Sequence, residues 1–531
     1  MSSASSLPAT VGRRRRRLSF TRLAAWLVSR ATRPNTALWL VITFALVHGI
    51  LWTRILIDLK AAQDVHMDVA EAFAWGQKFQ LGYGKHPPLA GWIAGLWFDF
   101  FPVQDWATYA LAMTTLGIGL VICWFISLRV VDYRRAFLVV VMLALYPIFN
   151  FKGFKYNPDL LQLVTLPLLV LAYLNAFEKR TWRSGILLGL AGALALMTKY
   201  WVLTMIGAIG LAALIHPDRL KFLGSPAPWI AIATLVVAMI PHLVWLKQVD
   251  FVPLTYAGDV YSLSDHTLNA KLVLGYVGHN FALLALPVVL ALLALAWPPR
   301  WLAYAWSRGP NIGVNVSQAR NVWWIQAIVA VGPPVGGLIF TVYMKTDWGI
   351  SLFFLVPLAL VAIPSLRVPA GALFRITAIW LVLSLATLAA APRIALLEIE
   401  HNPNSAGSYG ARAQLARELT DAWHQRFGSR WAVVAGTTEI GEPMTFYSPD
   451  HPAPFTPGEV WSSGLTSLEE AKRLGFIGIC DKTDGRLPVC EKWMRENAPD
   501  AEQQIMTTQR FFKGHPGPSI AWEIYMQPPA K

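Results

Sequence analysis

Apolar stretches of helical length recur along the whole chain, at about 38–57, 106–128, 136–150, 160–177, 184–198, 201–215, 227–246, 272–297, 323–343, 349–365 and 372–392. A segment inside lipid must satisfy its own backbone N–H and C=O groups, so such stretches are read as transmembrane helices, about eleven of them. Several are shorter than the roughly 20 residues that a perpendicular span needs, which leaves their ends soft. The composition agrees: 55% of the 531 residues are hydrophobic and 14% are charged, against about 25% charged in an ordinary soluble domain. The 24 tryptophans suit a polytopic membrane protein, because Trp collects at membrane–water interfaces. A net charge of +14 would suggest nucleic acid as the partner of a soluble protein. Here the cations sit in short loops between apolar stretches, so topology accounts for them and no nucleic-acid partner is expected.

The loop charges alternate. Asp64, Asp68, Glu71, Asp99, Asp105, Asp159, Asp250, Asp259, Asp265 and Asp347 all fall in odd-numbered connections. Arg129, Arg134, Arg135, Lys179, Arg180, Arg183, Arg219, Lys221, Arg300, Arg308, Arg320, Arg367 and Arg375 fall in even-numbered ones. With Arg13 to Arg17 ahead of the first span, the positive-inside rule predicts a cytoplasmic N-terminus and a C-terminus on the opposite side. The first span is too long for a signal-peptide core and is read as retained. Acidic residues contribute little to orientation, so their gathering on the outer side points to a reaction site there.

The division that follows is a basic cytoplasmic segment (1–37), a membrane domain (38–392) whose first outer loop covers about 58–105, and a soluble region (393–531). In that last region Leu415, Leu419, Trp423 and Phe427 recur every four residues, the apolar face of a helix. Arg430–Gly436, Phe476–Cys480 and Ile520–Tyr525 read as strands, and Asp450–Pro457 reads as a loop by its prolines. The expected fold class is therefore mostly α, a polytopic membrane protein with a small C-terminal α/β domain. Cys480 and Cys490 can pair if that domain faces an oxidising compartment, whereas Cys123 lies in an apolar stretch and packs. No Walker phosphate loop, zinc-type spacing or internal repeat is present. Gly185, Gly189 and Gly192 have the small-residue spacing of helix packing in lipid.

The chemistry concentrates in the first outer loop. Asp64, Asp68, Glu71 and Trp75 fall on one stripe of a predicted surface helix. Gly82-Tyr83-Gly84 ends that helix, and Pro87-Pro88 braces a turn carrying Lys85 and His86. Ionisable groups at a membrane surface are functional candidates by default. A carboxylate can take a proton from a hydroxyl while fixed cations stabilise a departing phosphate. Outside the cytoplasm there is no nucleotide supply, so the activated group must arrive on a lipid, and a polyprenyl-phosphate sugar meets that need.

Asp68-Val-Ala-Glu71, Trp75, Gly82-Tyr83 and Lys85-His-Pro-Pro-Leu89 resemble the first outer loop of GT-C-fold, family 39-like glycosyltransferases. That group includes the protein mannosyltransferases and the aminoarabinose transferase that modifies lipid A. Tyr156-Asn-Pro-Asp159 and Gly192-Ala-Leu-Ala-Leu-Met-Thr-Lys-Tyr200 resemble further stretches of it, and the likeness covers roughly residues 38–250. The resemblance implies an inverting transfer from a polyprenyl-phosphate-linked sugar to an envelope acceptor: lipopolysaccharide or lipid A, another glycolipid or polysaccharide, or a protein. It implies Asp68 as general base, Glu71 and Asp159 as its acidic companions, and Lys85 as a phosphate contact, in a Gram-negative inner membrane. His86, Tyr83, Lys199 and Tyr200 join the expected substrate-binding set. His86 stands where many relatives carry Lys, and neutral imidazole is a weaker phosphate clamp.

Each assignment has an ordinary alternative. Asp68 can be an exposed helix charge, and Asp159 can simply begin a helix after Pro158. Lys199 can be a helix-terminal cation and Tyr200 an interface anchor. His66, Glu71 and His86 are also weighed as divalent-metal ligands, although their spacing is loose and no metal is assigned. The rival activities are a lipid-linked sugar carrier or flippase, which would place ionisable groups near the midplane and show paired repeats, and an inactive scaffold.

Overall fold

Residues 20–296, 313–401, 409–458 and 465–530 are described by a computed structural model. The basic run Arg13 to Arg17, together with Arg300 and Arg308, lies outside them. Helices α1 (Phe20–Thr32) and α2 (Pro34–Leu59) meet at Arg33, with Pro34 in the first turn of α2, where its missing N–H costs nothing. Next come α3 (Met67–Gly76), α4 (Leu89–Phe100), α5 (Asp105–Val130), α6 (Tyr133–Leu145), α7 (Pro158–Lys179), α8 (Trp182–Leu196), α9 (Leu203–Ile215) and α10 (Arg219–Leu223). The membrane part closes with α11 (Pro226–Gln248), α12 (Val252–Tyr261), α13 (His266–Ala296), α14 (Val316–Ile339), α15 (Val356–Val361) and α16 (Ala370–His401). Among the described residues seven helices are long and apolar enough to cross a membrane: α2, α5, α7, α11, α13, α14 and α16. The protein is a multi-span membrane protein.

Two expected spans are broken, and both breaks matter for the site. The stretch expected at 136–150 is helical only to Leu145, then turns by 78° into two 3-10 turns, Pro147–Phe149 and Phe151–Phe154. Pro147 ends the helix, and the Asn150 amide donates to the carbonyls of Ala144 and Tyr146, both at 3.1 Å. Irregular backbone at membrane depth survives only where such partners exist. The stretch at 349–365 is likewise not one helix but a 3-10 segment, Thr346–Leu352, followed by the short α15. Leu352, Phe354 and Leu355 are fully buried inside the bundle. Their apolarity reflects protein packing, which hydropathy cannot tell from contact with lipid.

Close helix crossings need small residues. A Cβ on Gly185 or Gly189 would sit 2.5 Å from the carbonyl oxygens of Ala227 and Ala231, so these glycines let α8 lie against α11. Gly76 and Gly95 do the same for α3 and α4, with a Cβ on either meeting the other's backbone at 2.5 Å.

The C-terminal domain contains α17 (Arg412–Phe427), α18 (Thr438–Tyr447), α19 (Leu468–Leu474) and α20 (Leu487–Asn497). They surround a sheet of β1 (Val433–Ala435), β2 (Ala453–Phe455), β3 (Phe476–Asp481), β4 (Glu502–Phe512) and β5 (His515–Gln527), in the order β2-β1-β3-β5-β4. β1 runs parallel to β2 and β3, and β5 is antiparallel to β3 and β4. Leu415, Leu419 and Trp423 are buried against this sheet. Two strands have no sequence signal. β2 falls in the proline-rich 450–457 segment, where Pro454 is tolerated because the strand is an edge. β4 is the other edge, largely exposed, and lacks apolar alternation. Cys480 and Cys490 form a disulfide with Cα atoms 5.9 Å apart, joining β3 to α20. Cys123 is free and buried.

Candidate active site

The connections at one end of the bundle enclose a cavity of about 290 Å³. Its walls are α3, the turn before α4, the broken segment after α6, the start of α7, the turn after α8, α12 and the Thr346–Leu352 segment. Lys85, Lys152, Lys155, Lys199 and Lys345 face Asp68, Glu71, Asp159 and Asp347 across it, so lysines outnumber carboxylates by one.

The site helix α3 begins at Met67, later than the expected stripe. His66 caps it, its Nδ1 accepting from the Asp68 amide at 3.1 Å. Asp64 therefore lies outside the helix and is drawn to the C-terminal domain, while Asp68 and Glu71, three apart, face the cavity together. Trp75 stacks on Tyr83 with centroids 5.1 Å apart and does not line the cavity.

Asp68 Oδ2 accepts from Asn157 Nδ2 at 2.9 Å and lies 3.5 Å from Lys155 Nζ. Burial alone would raise its pKa, but Lys155, then His66 and the Asn157 amide, outweigh it and hold this carboxyl well below the usual carboxylate range. Glu71 Oε1 accepts from Lys85 Nζ at 2.6 Å. Burial opposes the charge on Lys85, yet Glu71 outweighs it and raises this lysine above the ordinary lysine value. Asp159, in the first turn of α7, accepts from Lys199 Nζ with both oxygens, at 2.8 and 2.9 Å. It both begins a helix and lines the cavity. Lys199 also lies 5.2 Å from the Trp348 ring centroid.

Three further cavity lysines carry no motif of their own. Lys155 bridges Asp68 and Asp347, the latter at 3.6 Å. Lys152 lies 3.7 Å from Asp347 and 3.0 Å from His279 Nε2. Lys345 makes no ion pair with a carboxylate among the described residues; it lies 5.6 Å from the Tyr261 ring centroid, and burial, then Lys199, lowers its pKa. The available signal was their position. Lysines in connections assigned to the outer side run against the positive-inside bias, so some other cause must hold them there.

Tyr83 and Tyr200 do not line the cavity. The Tyr83 hydroxyl lies 2.8 Å from the carbonyls of both Trp75 and Lys78, sharing its one proton between them, and its backbone closes the turn onto His86. The Tyr200 hydroxyl bonds His242 Nε2 at 3.0 Å, and His242 Nδ1 bonds the Leu81 carbonyl at 2.7 Å. Both tyrosines brace the turn that presents Lys85. His66, Glu71 and His86 do not assemble as metal ligands, and no group of three or more His, Cys, Asp or Glu placed to hold an ion occurs among the described residues.

His86 lines the cavity, and burial, followed by Lys199 and Lys85, holds its pKa well below the ordinary histidine value. It is therefore neutral at pH 7. Its sign follows from linkage: as pH falls below about 6.5 the unfolded chain takes up a proton that folded His86 refuses, so stability falls with pH in that window. The decline in Tm between about pH 6.5 and 5 is expected to be shallower in His86→Asn than in the native protein. Equal slopes would mean that His86 titrates alike in both states.

The helical bundle, with its cavity at one end and a small sheet domain beside it, has the GT-C fold. Among particular proteins, the solved structure of ArnT from Cupriavidus metallidurans bound to undecaprenyl phosphate superposes with a TM-score of 0.60 at 11% identity, covering 92% of this chain and 98% of that one. The apo form of the same protein gives 0.59, covering 94% and 98%. Residues 85–245 match the family model described as dolichyl-phosphate-mannose-protein mannosyltransferase. The lipid A galacturonosyltransferase RgtD of Rhizobium johnstonii is 23% identical over 293 residues, which are 52% of this chain. The match spans about half the length of that relative, 55%.

Proposed function

We propose that the protein is an inverting glycosyltransferase that moves a sugar from a polyprenyl-phosphate donor to an envelope acceptor on the outer side of the inner membrane. The observation that carries this reading is the single cavity in which the ionised Asp68 faces a set of lysines. An acceptor hydroxyl attacks the anomeric carbon and gives its proton to Asp68. The bond from that carbon to the phosphate oxygen breaks, and polyprenyl phosphate leaves with the electron pair. Lys85 and Lys345 stabilise the departing charge, and the one-lysine excess matches the single charge of a phosphodiester donor.

The undecaprenyl phosphate bound by ArnT supports a polyprenyl-phosphate donor. The name of RgtD supports a lipid A-type acceptor, with other glycolipids, polysaccharide and protein as less favoured ones. The Cys480–Cys490 disulfide supports an oxidising, periplasmic setting for the C-terminal domain, and the basic run Arg13 to Arg17 supports a cytoplasmic N-terminus. Mass spectrometry of envelope lipids from a deletion strain tests the activity: one sugar residue is expected to disappear from an envelope glycolipid. If donor lipid instead accumulates only on the cytoplasmic leaflet, a carrier is favoured. Reporters after residues 33 and 531 are expected on opposite sides of the membrane, and same-side signals would overturn the orientation.

A further inference from the structure

The loop that enters the site helix is held by side chains from the C-terminal domain, none of which lines the cavity. Asp64, four residues before Asp68, has a side chain with no solvent exposure. Its Oδ1 accepts from Arg510 Nη1 at 2.6 Å, and its Oδ2 accepts from the Arg412 backbone amide at 3.2 Å. Arg510 Nη2 also donates to the Ala61 carbonyl at 3.0 Å. One residue on, the Val65 amide donates to the Tyr447 hydroxyl at 2.6 Å, and that hydroxyl donates to Asp105 Oδ1 at 3.0 Å. Behind α3, Phe73 meets Phe446 with ring centroids 5.6 Å apart.

We infer that the C-terminal domain sets the position of the Asp68 carboxylate, with Arg510 and Tyr447 as positioning residues; this rests on reading Asp68 as the base. A ten-residue helix is too short to be stable or fixed by itself, since isolated helices under about 12–15 residues are marginal in water. Its place must come from tertiary contacts. A fully buried carboxylate is strongly unfavourable unless paired and hydrogen-bonded, so Asp64 tolerates little movement away from Arg510. The Val65–Tyr447–Asp105 relay ties the same loop to the start of α5. Displacing a reacting group by about 1 Å can reduce turnover about 10²-fold.

The test uses the full-length protein. Tyr447→Phe removes one hydroxyl, and Arg510→Gln removes the charge facing Asp64. Turnover is read in membranes of the deletion strain, which hold donor and unmodified acceptor, per unit of folded protein. Binding is read with undecaprenyl phosphate, and hydrogen exchange is followed at residues 65–76. Both variants are expected to lose turnover about ten-fold, short of the 1 Å limit, with undecaprenyl phosphate affinity within about two-fold of native. Exchange should rise at 65–76, and Arg510→Lys should recover most of the turnover. Native turnover with native exchange in Tyr447→Phe would overturn the inference. So would a fall in lipid binding that parallels the fall in turnover in Tyr447→Phe, which marks a general structural role. If Asp68→Asn stays active, the base assignment fails by itself, whereas exchange at 65–76 still reports on the clamp.

Discussion

Asp68→Asn is expected to abolish sugar transfer while leaving the protein folded, inserted and able to bind undecaprenyl phosphate. General-base assistance is worth about 10²–10⁴-fold in rate, and asparagine cannot accept the acceptor's proton. The substitution keeps the shape of the side chain, so the Asn157 contact can persist after an amide rotation. Lys155 loses one partner but keeps Asp347 at 3.6 Å, which limits the structural cost. With Lys155 partly released, affinity for the lipid phosphate should be unchanged or slightly tighter. The assay supplies membranes with labelled polyprenyl-phosphate sugar and scores transfer beside inserted protein. Full activity would remove Asp68 from the role of base. The carboxyl of Asp68 is held below the usual carboxylate range, so acid inactivation through it should begin only well under pH 4.

The second large effect is expected at Lys85. Its ammonium sits 2.6 Å from Glu71, with side-chain exposures of 13% and 11%. Truncating one member of a buried, hydrogen-bonded charge pair costs roughly 2–5 kcal/mol, much of it from the abandoned partner. Lys85→Met should therefore lower Tm and also weaken undecaprenyl phosphate binding, by about 10²-fold if about 3 kcal/mol of phosphate contact is lost. The double variant Lys85→Met with Glu71→Gln separates the two losses. Removing the Glu71 charge as well should restore part of the Tm without restoring lipid affinity. Native affinity in either variant would show that Lys85 serves Glu71 and not the phosphate.

How far the site could be read from sequence differs residue by residue. Asp68, Glu71, Lys85 and His86 are close in the chain and carry a recognisable pattern, so their common cavity was expected. Asp159 and Lys199 come from distant connections, and their 2.8 Å contact is a tertiary fact that no local spacing contains. Tyr83 and Tyr200 share the same motifs, yet their hydroxyls are turned to backbone and His242. A motif identifies a segment and says little about which way each side chain points. Lys152, Lys155 and Asn157 reach the cavity because the span breaks at Pro147, a bend that an apolar stretch does not announce. Lys345 and Asp347 reach it because the following apolar run is buried in protein instead of spanning lipid.

Period and composition determined that this chain is a membrane bundle with a small C-terminal α/β domain, because lipid leaves few ways to satisfy a backbone. Local motif singled out the first polar connection, whose Asp68, Glu71, Lys85 and His86 line one cavity. Tertiary structure alone decided the rest: which five lysines meet which four carboxylates, where two spans break, and how Arg510, Arg412 and Tyr447 reach back to the loop before Asp68. The physical reason is that Coulombic and hydrogen-bond energies depend on distance in space. Residues 64 and 510 are 2.6 Å apart at their charged ends, and nothing in their sequence separation says so.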